Sequence, residues 1–288
     1  MIRKYYLLLL GKWNTFKRHF RKHTHRRIQI LHHRLFRKPA RRLTYDTFYH
    51  CCTQKTASQW IKRILEDPLV YQYTGLQSWP YISIGLRMAK NIRPLPEGTF
   101  GTHYYVDYHT FESIKKPANT RAFFMLRDPR DIVVSWYFSA RYSHPFISVI
   151  PEMRIQMEKM DFKTGLKYII DKVESFGTFE AQLSWLDAGN ESEQIKIFRY
   201  EDLADNSSVF MRNLFRFLEI DIPESELISL AEKYSFESIN RGRKQGAEDI
   251  YKHDRKGMPG DWRNYFDEDI DSYFRKKTGN LIELLGYE

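Results

Sequence analysis

Apolar and polar positions change their spacing several times along the chain, and each change predicts an element. From Thr44 to Cys52 the residues are rich in Thr, Tyr and Phe, the composition of a strand. Thr53–Ala57 is a short polar turn. From Ser58 to Glu66 the apolar residues Trp60, Ile61, Ile64 and Leu65 recur at helical spacing, and Pro68 is placed to end that helix. A second unit of this kind follows. Arg121–Leu126 is a short apolar run, as expected of a strand buried on both faces. Asp128 is a good helix cap, Pro129 suits the first helical position, and Asp131 adds a carboxylate to the first turn. That helix continues through Ile132, Val133, Trp136 and Tyr137. A third strand over Gln194–Phe198 leads into Tyr200-Glu201-Asp202-Leu203. The next helix, capped by Ser207 or Ser208, carries Phe210, Leu214, Phe215 and Leu218 on one face. Strands alternating with helices predict the α/β class, with a central parallel sheet flanked by helices. Arg241–Asp261 holds four glycines, six Lys or Arg and little apolar content, and predicts a long mobile loop.

Charge divides the chain in two. The 288 residues carry 46 Lys or Arg against 36 Asp or Glu, a net +10, but residues 1–42 alone hold 14 Lys or Arg and no acid. The remaining 246 residues are therefore at −4. This predicts a basic N-terminal arm over 1–42 and a mildly acidic folded domain over 43–288, and it argues against a nucleic-acid-binding face. A hydrophobic fraction of 42% supplies a core and excludes a fully disordered chain. Within the arm, Tyr5–Leu10 is an apolar run of six, against about 20 for a membrane span and about 7–15 for a signal core. Tyr5, Leu9, Trp13, Phe16 and Phe20 fall at helical spacing, which suits a peripheral amphipathic helix on anionic lipid. A solvated tail and an Arg-rich targeting peptide are the other readings. Cys51 and Cys52 are adjacent and build no disulfide framework, so a reducing, cytoplasmic compartment is expected. No Cys/His cluster has ligand spacing, and the His-rich stretch from His19 to His33 offers only adventitious metal binding, so no metal is expected.

Three segments carry chemistry. The turn before Ser58 joins a strand to a helix start, where free backbone N–H groups and the helix dipole favour an anion. Lys55 adds a point charge, and Thr56 and Ser58 add hydroxyl donors. The turn lacks the glycines of a Walker loop, and taken alone these residues read first as an ordinary capped turn with an exposed lysine. Arg127 lies where a strand ends and a helix begins, the crevice in which open α/β sheets bind ligands, and Ser135 lies eight residues on. A guanidinium there forks onto a phosphate or pairs locally with Asp128 or Asp131. Asp254-Arg255-Lys256-Gly257-Met258-Pro259-Gly260-Asp261-Trp262 is either a loop that closes over an anion or a solvated basic loop.

Taken together, Lys55-Thr56-Ala57-Ser58-Gln59-Trp60, Arg127-Asp128-Pro129-Arg130-Asp131-Ile132-Val133-Val134-Ser135, Tyr200-Glu201-Asp202-Leu203 and Arg255-Lys256-Gly257 through Trp262 stand in a telling order. The chain from about Thr44 onward resembles the cytosolic-type sulfotransferases, which use 3′-phosphoadenosine 5′-phosphosulfate (PAPS). The resemblance implies their P-loop NTPase-like fold. It implies that Lys55, Thr56, Ala57, Ser58, Gln59 and Trp60 form the 5′-phosphosulfate loop, with Trp60 stacked on the adenine. Arg127 and Ser135 would hold the 3′-phosphate, Tyr200 would lie near the base, and Ser235 and Phe236 around the nucleoside. Arg255, Lys256 and Gly257 would return to the 3′-phosphate from the closing loop. The catalytic His would be His103, in Gly101-Thr102-His103, with His109 and Glu66 as other candidates for the base. The chain departs from the family pattern at Gln54, Ala57, Gln59 and Gly101, where the family has Pro, Gly, Thr and Lys.

The reaction so implied moves a sulfonate group from PAPS to a hydroxyl or amine of a small-molecule, lipid or carbohydrate acceptor, without a metal. His103 would act as base, since an ordinary imidazole pKa of about 6.5 suits proton transfer near neutrality. Lys55 would stabilise charge on the departing phosphate oxygen. The aromatic residues Tyr71, Tyr73, Trp79, Tyr81, Tyr104, Tyr105, Tyr142 and Phe146 line an acceptor pocket or belong to the core. Two rivals are a P-loop-like kinase, which predicts a Walker loop, and a catalytically inactive nucleotide-binding or membrane-adaptor protein on the same fold.

Overall fold

The computed structural model describes residues 6, 9–17, 43–80, 86 and 92–288. Five parallel strands form one sheet: β1 (Thr47–Cys52), β2 (Gln77–Pro80), β3 (Thr99–Tyr105), β4 (Thr120–Leu126) and β5 (Ile195–Arg199), in the spatial order β2-β3-β1-β4-β5. Residue 6 and residues 9–17 are helical and together are called α1. The others are α2 (Ser58–Leu65), α3 (Pro68–Thr74), α4 (Tyr108–Glu112), α5 (Pro129–Phe138), α6 (Ile150–Met157), α7 (Phe162–Ser175), α8 (Thr178–Glu191), α9 (Tyr200–Asp205), α10 (Ser207–Phe217), α11 (Glu224–Lys233), α12 (Phe236–Ile239), α13 (Glu268–Thr278) and α14 (Leu281–Leu284). The α/β class and the helix-flanked parallel sheet are as the spacing predicts.

Alternation along the strands sorts the core into two layers. Tyr49 and Cys51 of β1 and Ala122, Phe124 and Leu126 of β4 face one, with Val133, Leu166, Trp185 and Phe274. Phe48 and Cys52 with Phe123 and Met125 face the other, with Ile61, Ile64, Phe210 and Leu214. The sheet order reverses direction about β1, which lies between β3 and β4, so their carboxyl ends open the crevice where such sheets place ligands.

Several local expectations are corrected. β1 begins at Thr47, because Thr44–Asp46 bend before the strand. The first helix ends at Leu65, and Pro68 opens α3 behind the Asp67 cap, the position where a missing N–H costs nothing. Asn206, rather than Ser207 or Ser208, caps α10 by accepting from the Val209 N–H at 3.0 Å. Asp128 does cap α5, accepting from the Arg130 N–H at 2.8 Å. Beyond Phe138 that helix continues as a π turn over Ser139–Ser143. Residues 241–261 are stitched rather than loose. The Gly246 N–H donates to the Lys256 carbonyl at 2.9 Å and the Asp249 N–H to that of Arg255 at 3.0 Å, while the Arg243 guanidinium donates to the Ala247, Asp254 and Arg255 carbonyls. Arg243 thus supplies the side-chain donors that a glycine-rich composition leaves unexpected. Most of residues 1–42, including Tyr5, Phe20 and the stretch His19 to His33, lie outside the described residues. Among those described, no helix is long and apolar enough to cross a membrane and no metal-sized group of His, Cys, Asp or Glu forms.

Candidate nucleotide and transfer site

Two stretches of the chain that are 72 residues apart meet at the carboxyl ends of β1 and β4. Arg127 Nη1 donates to the Lys55 carbonyl at 2.8 Å. Its guanidinium lies 4.0 Å above the Tyr200 ring and 3.9 Å from the Asp131 carboxylate. Arg127 Nε–H is buried without a hydrogen-bond partner among the described residues. The Lys55 amine likewise makes no hydrogen bond or ion pair among them. Burial first, then the charges of Arg127 and Arg255, push Lys55 down to about 8. Two unpaired cationic donors in one half-buried corner are the feature that an anionic ligand satisfies.

The Lys55 turn is held open by backbone strain. Lys55 and Ala57 have φ of 70° and 61°, in the left-handed region. Ala57 is the helix cap, and its carbonyl accepts from the Trp60 and Ile61 N–H groups at 2.9 and 3.0 Å. An alanine in place of the family's glycine costs about 1–2 kcal/mol here. Ala57→Gly is therefore expected to leave stability within about 1 kcal/mol, because relieved strain offsets added unfolded-chain entropy. Ala57→Val is expected to cost about 2 kcal/mol or more, since a β-branched residue tolerates this φ least. Urea denaturation checks both, and an unaltered midpoint for the valine variant would show that the loop does not hold this backbone. Thr56 is fully buried and its hydroxyl donates to the Thr53 carbonyl at 2.9 Å, so it holds the turn's shape. Ser58 Oγ lies 2.9 Å from the Tyr105 hydroxyl. Gln59 is half-buried on the first turn of α2.

A cavity of about 380 Å³ is lined in part by Trp60, Ala204, Ser208, Ser235, Phe236 and Gln245; neither Lys55 nor Arg127 is in its lining. Trp60 is fixed by an indole N–H donated to the Tyr234 carbonyl at 2.7 Å, with its ring centre 6.3 Å from that of Phe236. Ser235 caps α12. Gly257, at φ 71°, packs so closely that a Cβ there would come within 2.4 Å of the Phe236 ring. Gln245 Nε2 donates to the Ala204 and Gly257 carbonyls at 3.0 and 2.8 Å and so ties the loop to this wall. Trp60, Ser235 and Phe236 thus line one cavity, Gly257 packs against Phe236, and Gln245, a polar residue with no motif around it in the sequence, lines the cavity too.

Other expected positions differ in detail. Tyr200 is not in the cavity lining; it sits beneath Arg127, and burial pushes its hydroxyl up to about 12. Arg255 pairs with Glu248 and Asp261 and lies 4.2 Å from the Phe138 ring centre, and Lys256 also pairs with Asp261. The charge of Arg255 reaches Lys55 and Arg127, but its guanidinium donates to the Glu248 and Asp261 carboxylates. Asp131, which could not be assigned from sequence, accepts from the Gly260 and Trp262 N–H groups at 2.7 and 2.9 Å and anchors the loop to α5. Ser135 is half-buried on α5, two turns from the corner, with no side-chain hydrogen bond among the described residues.

His103 lies on β3 at an irregularity in the register. Tyr49 pairs with Gly101 but Cys51 with Tyr104, so β3 carries one extra residue, and His103 takes φ 51° there. Such bulges re-aim a side chain. Buried His50 holds the bulge: its Nδ1 accepts from the His103 N–H at 3.3 Å and lies 3.1 Å from the Thr102 hydroxyl. Burial pushes His50 down to about 3, which keeps it neutral. The Cys52–Tyr105 pairing places His103 beside the strand that feeds the Lys55 turn, and its ring is edge-on to Tyr105 at 5.9 Å. Tyr105 therefore links His103 to Ser58, a role signalled in sequence only by its two-residue spacing from His103. Gly101 stands under the Tyr104 ring, where a Cβ would approach to 2.4 Å, so the family's lysine does not fit without moving Tyr104. His109 is exposed on α4. Glu66 is at the far end of α2 from the turn, bonded to Lys62 and to Ser78.

The family model described as the sulfotransferase domain matches residues 46–286. Sulfotransferase 1 family member D1 of Mus musculus is 27% identical over 197 residues, 65% of this chain and 62% of that protein. Sulfotransferase 2A1 of Homo sapiens is 22% identical over 177 residues, 57% of this chain and 58% of that protein. The chain thus spans less than two thirds of the length of these relatives. Mouse sulfotransferase SULT7A1 complexed with PAP superposes with a TM-score of 0.59 at 18% identity, covering 82% of this chain and 84% of that one. Retinol dehydratase in a complex with retinol and PAP does so with a TM-score of 0.50 at 17% identity, covering 85% and 82%. At these identities the likeness is one of fold.

Proposed function

The chain belongs to the sulfotransferase domain family, and from that premise we propose that it is a PAPS-dependent sulfotransferase acting on a hydroxyl or amine of a small-molecule, lipid or carbohydrate acceptor. The observation that carries this reading is the pair of cationic donors without a hydrogen-bond partner among the described residues, Lys55 Nζ and Arg127 Nε–H, at a turn that leads within five residues to Trp60, which walls a cavity with Phe236. The residues present fit an adenosine carrying separate phosphates: a ring-lined cavity for the nucleoside and a cationic corner for the anions. Bound PAPS supplies a sulfonyl group on a phosphate leaving group. Lys55 meets the charge left on the phosphate oxygen as its bond to sulfur breaks. Backbone N–H groups of the turn and the Ser58 hydroxyl hold the 5′-phosphate. Arg127 forks onto the 3′-phosphate, and Arg255, Lys256 and Gly257 close over it once the Asp261 and Glu248 pairs give way. His103 takes the acceptor's proton as the acceptor oxygen bonds to sulfur.

Calorimetric titration with adenosine 3′,5′-bisphosphate tests the reading: one-to-one binding is expected, followed by turnover of PAPS with a screened acceptor. Absence of binding overturns it, and binding without turnover on any acceptor indicates an inactive nucleotide-binding protein. The affinity should also depend on pH. Lys55 has a lowered pKa of about 8 in the free protein, and a bound phosphate favours its charged form. Binding therefore takes up a proton above that pH. Affinity should be level below pH 8 and fall about tenfold by pH 9. A flat profile across this range would remove Lys55 from phosphate contact.

A further inference from the structure

Helix α1 presents an apolar stripe to solvent. Tyr6, Leu9, Trp13 and Phe16 are 63%, 65%, 55% and 61% exposed. At about 100° per residue these positions fall on one side of a helix. The opposite side is seated on the folded domain. A Cβ at Gly11 would meet Pro151 at 2.4 Å, and the Thr15 hydroxyl accepts from the Ser148 N–H at 2.8 Å. The stripe is thus aimed outward by contacts behind it. Trp13 and Phe16 stack at 6.1 Å, and the Lys17 amine lies 5.1 Å from the Trp13 ring centre. By the same spacing Lys12 and Lys17 flank the stripe on its two edges. Val149, 43% exposed, adds apolar surface in the segment on which the helix rests.

We propose that this face is a docking surface for an anionic lipid bilayer, with Tyr6, Leu9, Trp13 and Phe16 entering the headgroup boundary and the arm's cations meeting the lipid charge. Two independent features select this occupant. Aromatic and leucine side chains between lysines are the composition of interfacial helices, whose lysine stems reach along the apolar surface while their amines stay with the headgroups. The 14 Lys or Arg of residues 1–42, with no acid among them, complement an anionic surface and no neutral one. The mildly acidic remainder of the chain, at −4, leaves that attraction local to the arm.

The full chain should be sedimented with vesicles of phosphatidylcholine alone and with vesicles in which about one third is phosphatidylglycerol. Partition onto the anionic vesicles at least about tenfold tighter, weakened by salt, is expected. The surface variant L9S/W13S/F16S should lose about tenfold of that partition while keeping its unfolding midpoint and its nucleotide titration, so failure here is distinct from failure of the proposed reaction. The proposal is overturned if the parent chain binds neither vesicle or both equally. It is also overturned if the triple variant binds anionic vesicles undiminished, which assigns binding to charge alone. Light scattering that shows the parent as a dimer and the variant as a monomer, without vesicle binding, assigns the face to a second copy and overturns it as well.

Discussion

An Arg127→Ala variant binds adenosine 3′,5′-bisphosphate about 100-fold more weakly than the parent chain. The expectation follows from what the guanidinium does and what it leaves undone. One of its N–H groups holds the Lys55 carbonyl at 2.8 Å and so fixes the turn that presents the amine. Its Nε–H has no protein partner among the described residues, and Asp131 is only a loose neighbour at 3.9 Å. Hydrogen bonds to charged groups contribute about 1.5–3 kcal/mol each, and a forked pair on phosphate brings the loss to a few kcal/mol. Each 1.4 kcal/mol is about tenfold in affinity. The fold should survive, because Asp131 keeps the two backbone donors from Gly260 and Trp262. Arg127→Lys should fall between the two, retaining charge but not the fork. Calorimetry reads the affinity and a melting curve checks the fold. Equal affinity in the alanine variant would show that Arg127 serves only as a brace for the Lys55 turn.

The sequence disclosed residue types at element junctions better than it disclosed their partners. β1 and β4 were visible because their residues form short runs with strand composition, and α5 because Asp128 and Pro129 mark its start. β3 was not, because Gly101 and the extra residue at His103 break the two-residue alternation that marks a strand. β2 is four residues long and ends in Pro80, too short for any period to show. In the site, Arg127 was identifiable by position, yet its choice between Asp128 and Asp131 depended on tertiary contacts. Asp128 is taken by Arg130 at 2.8 Å, and Asp131 by backbone N–H groups more than 120 residues away in the chain. The sequence offers Arg255 as a cation on a loop, and its pairing with Glu248 and Asp261 has no signal there, because spacing alone does not say which acids a loop folds back upon. His50 carried no signal at all: a histidine inside a strand declares its role only when the neighbouring strand's register places the His103 N–H against it.

That contact makes the second large expectation specific. His103→Ala should lower kcat by about 10²–10⁴-fold, the range for removal of a general base, with bisphosphate affinity unchanged. The bulge survives the substitution, since His50 accepts from the residue-103 backbone N–H and not from its side chain. The acid limb of the pH–rate profile should disappear with the imidazole. His50 cannot supply that limb, because burial holds it near 3, well below the working range. His50→Phe gives the complementary test: it removes the acceptor that fixes the bulge and leaves the base in place. It should lower kcat by less than His103→Ala does and should preserve the acid limb. If His103→Ala turns over normally, proton removal lies elsewhere. Glu66 is a poor substitute, being bonded to Lys62 and Ser78 at the far end of α2, and His109 is exposed on a different helix. Tyr105, edge-on to His103 and bonded to Ser58, would then be the next titratable group to test among the described residues of β3, by Tyr105→Phe.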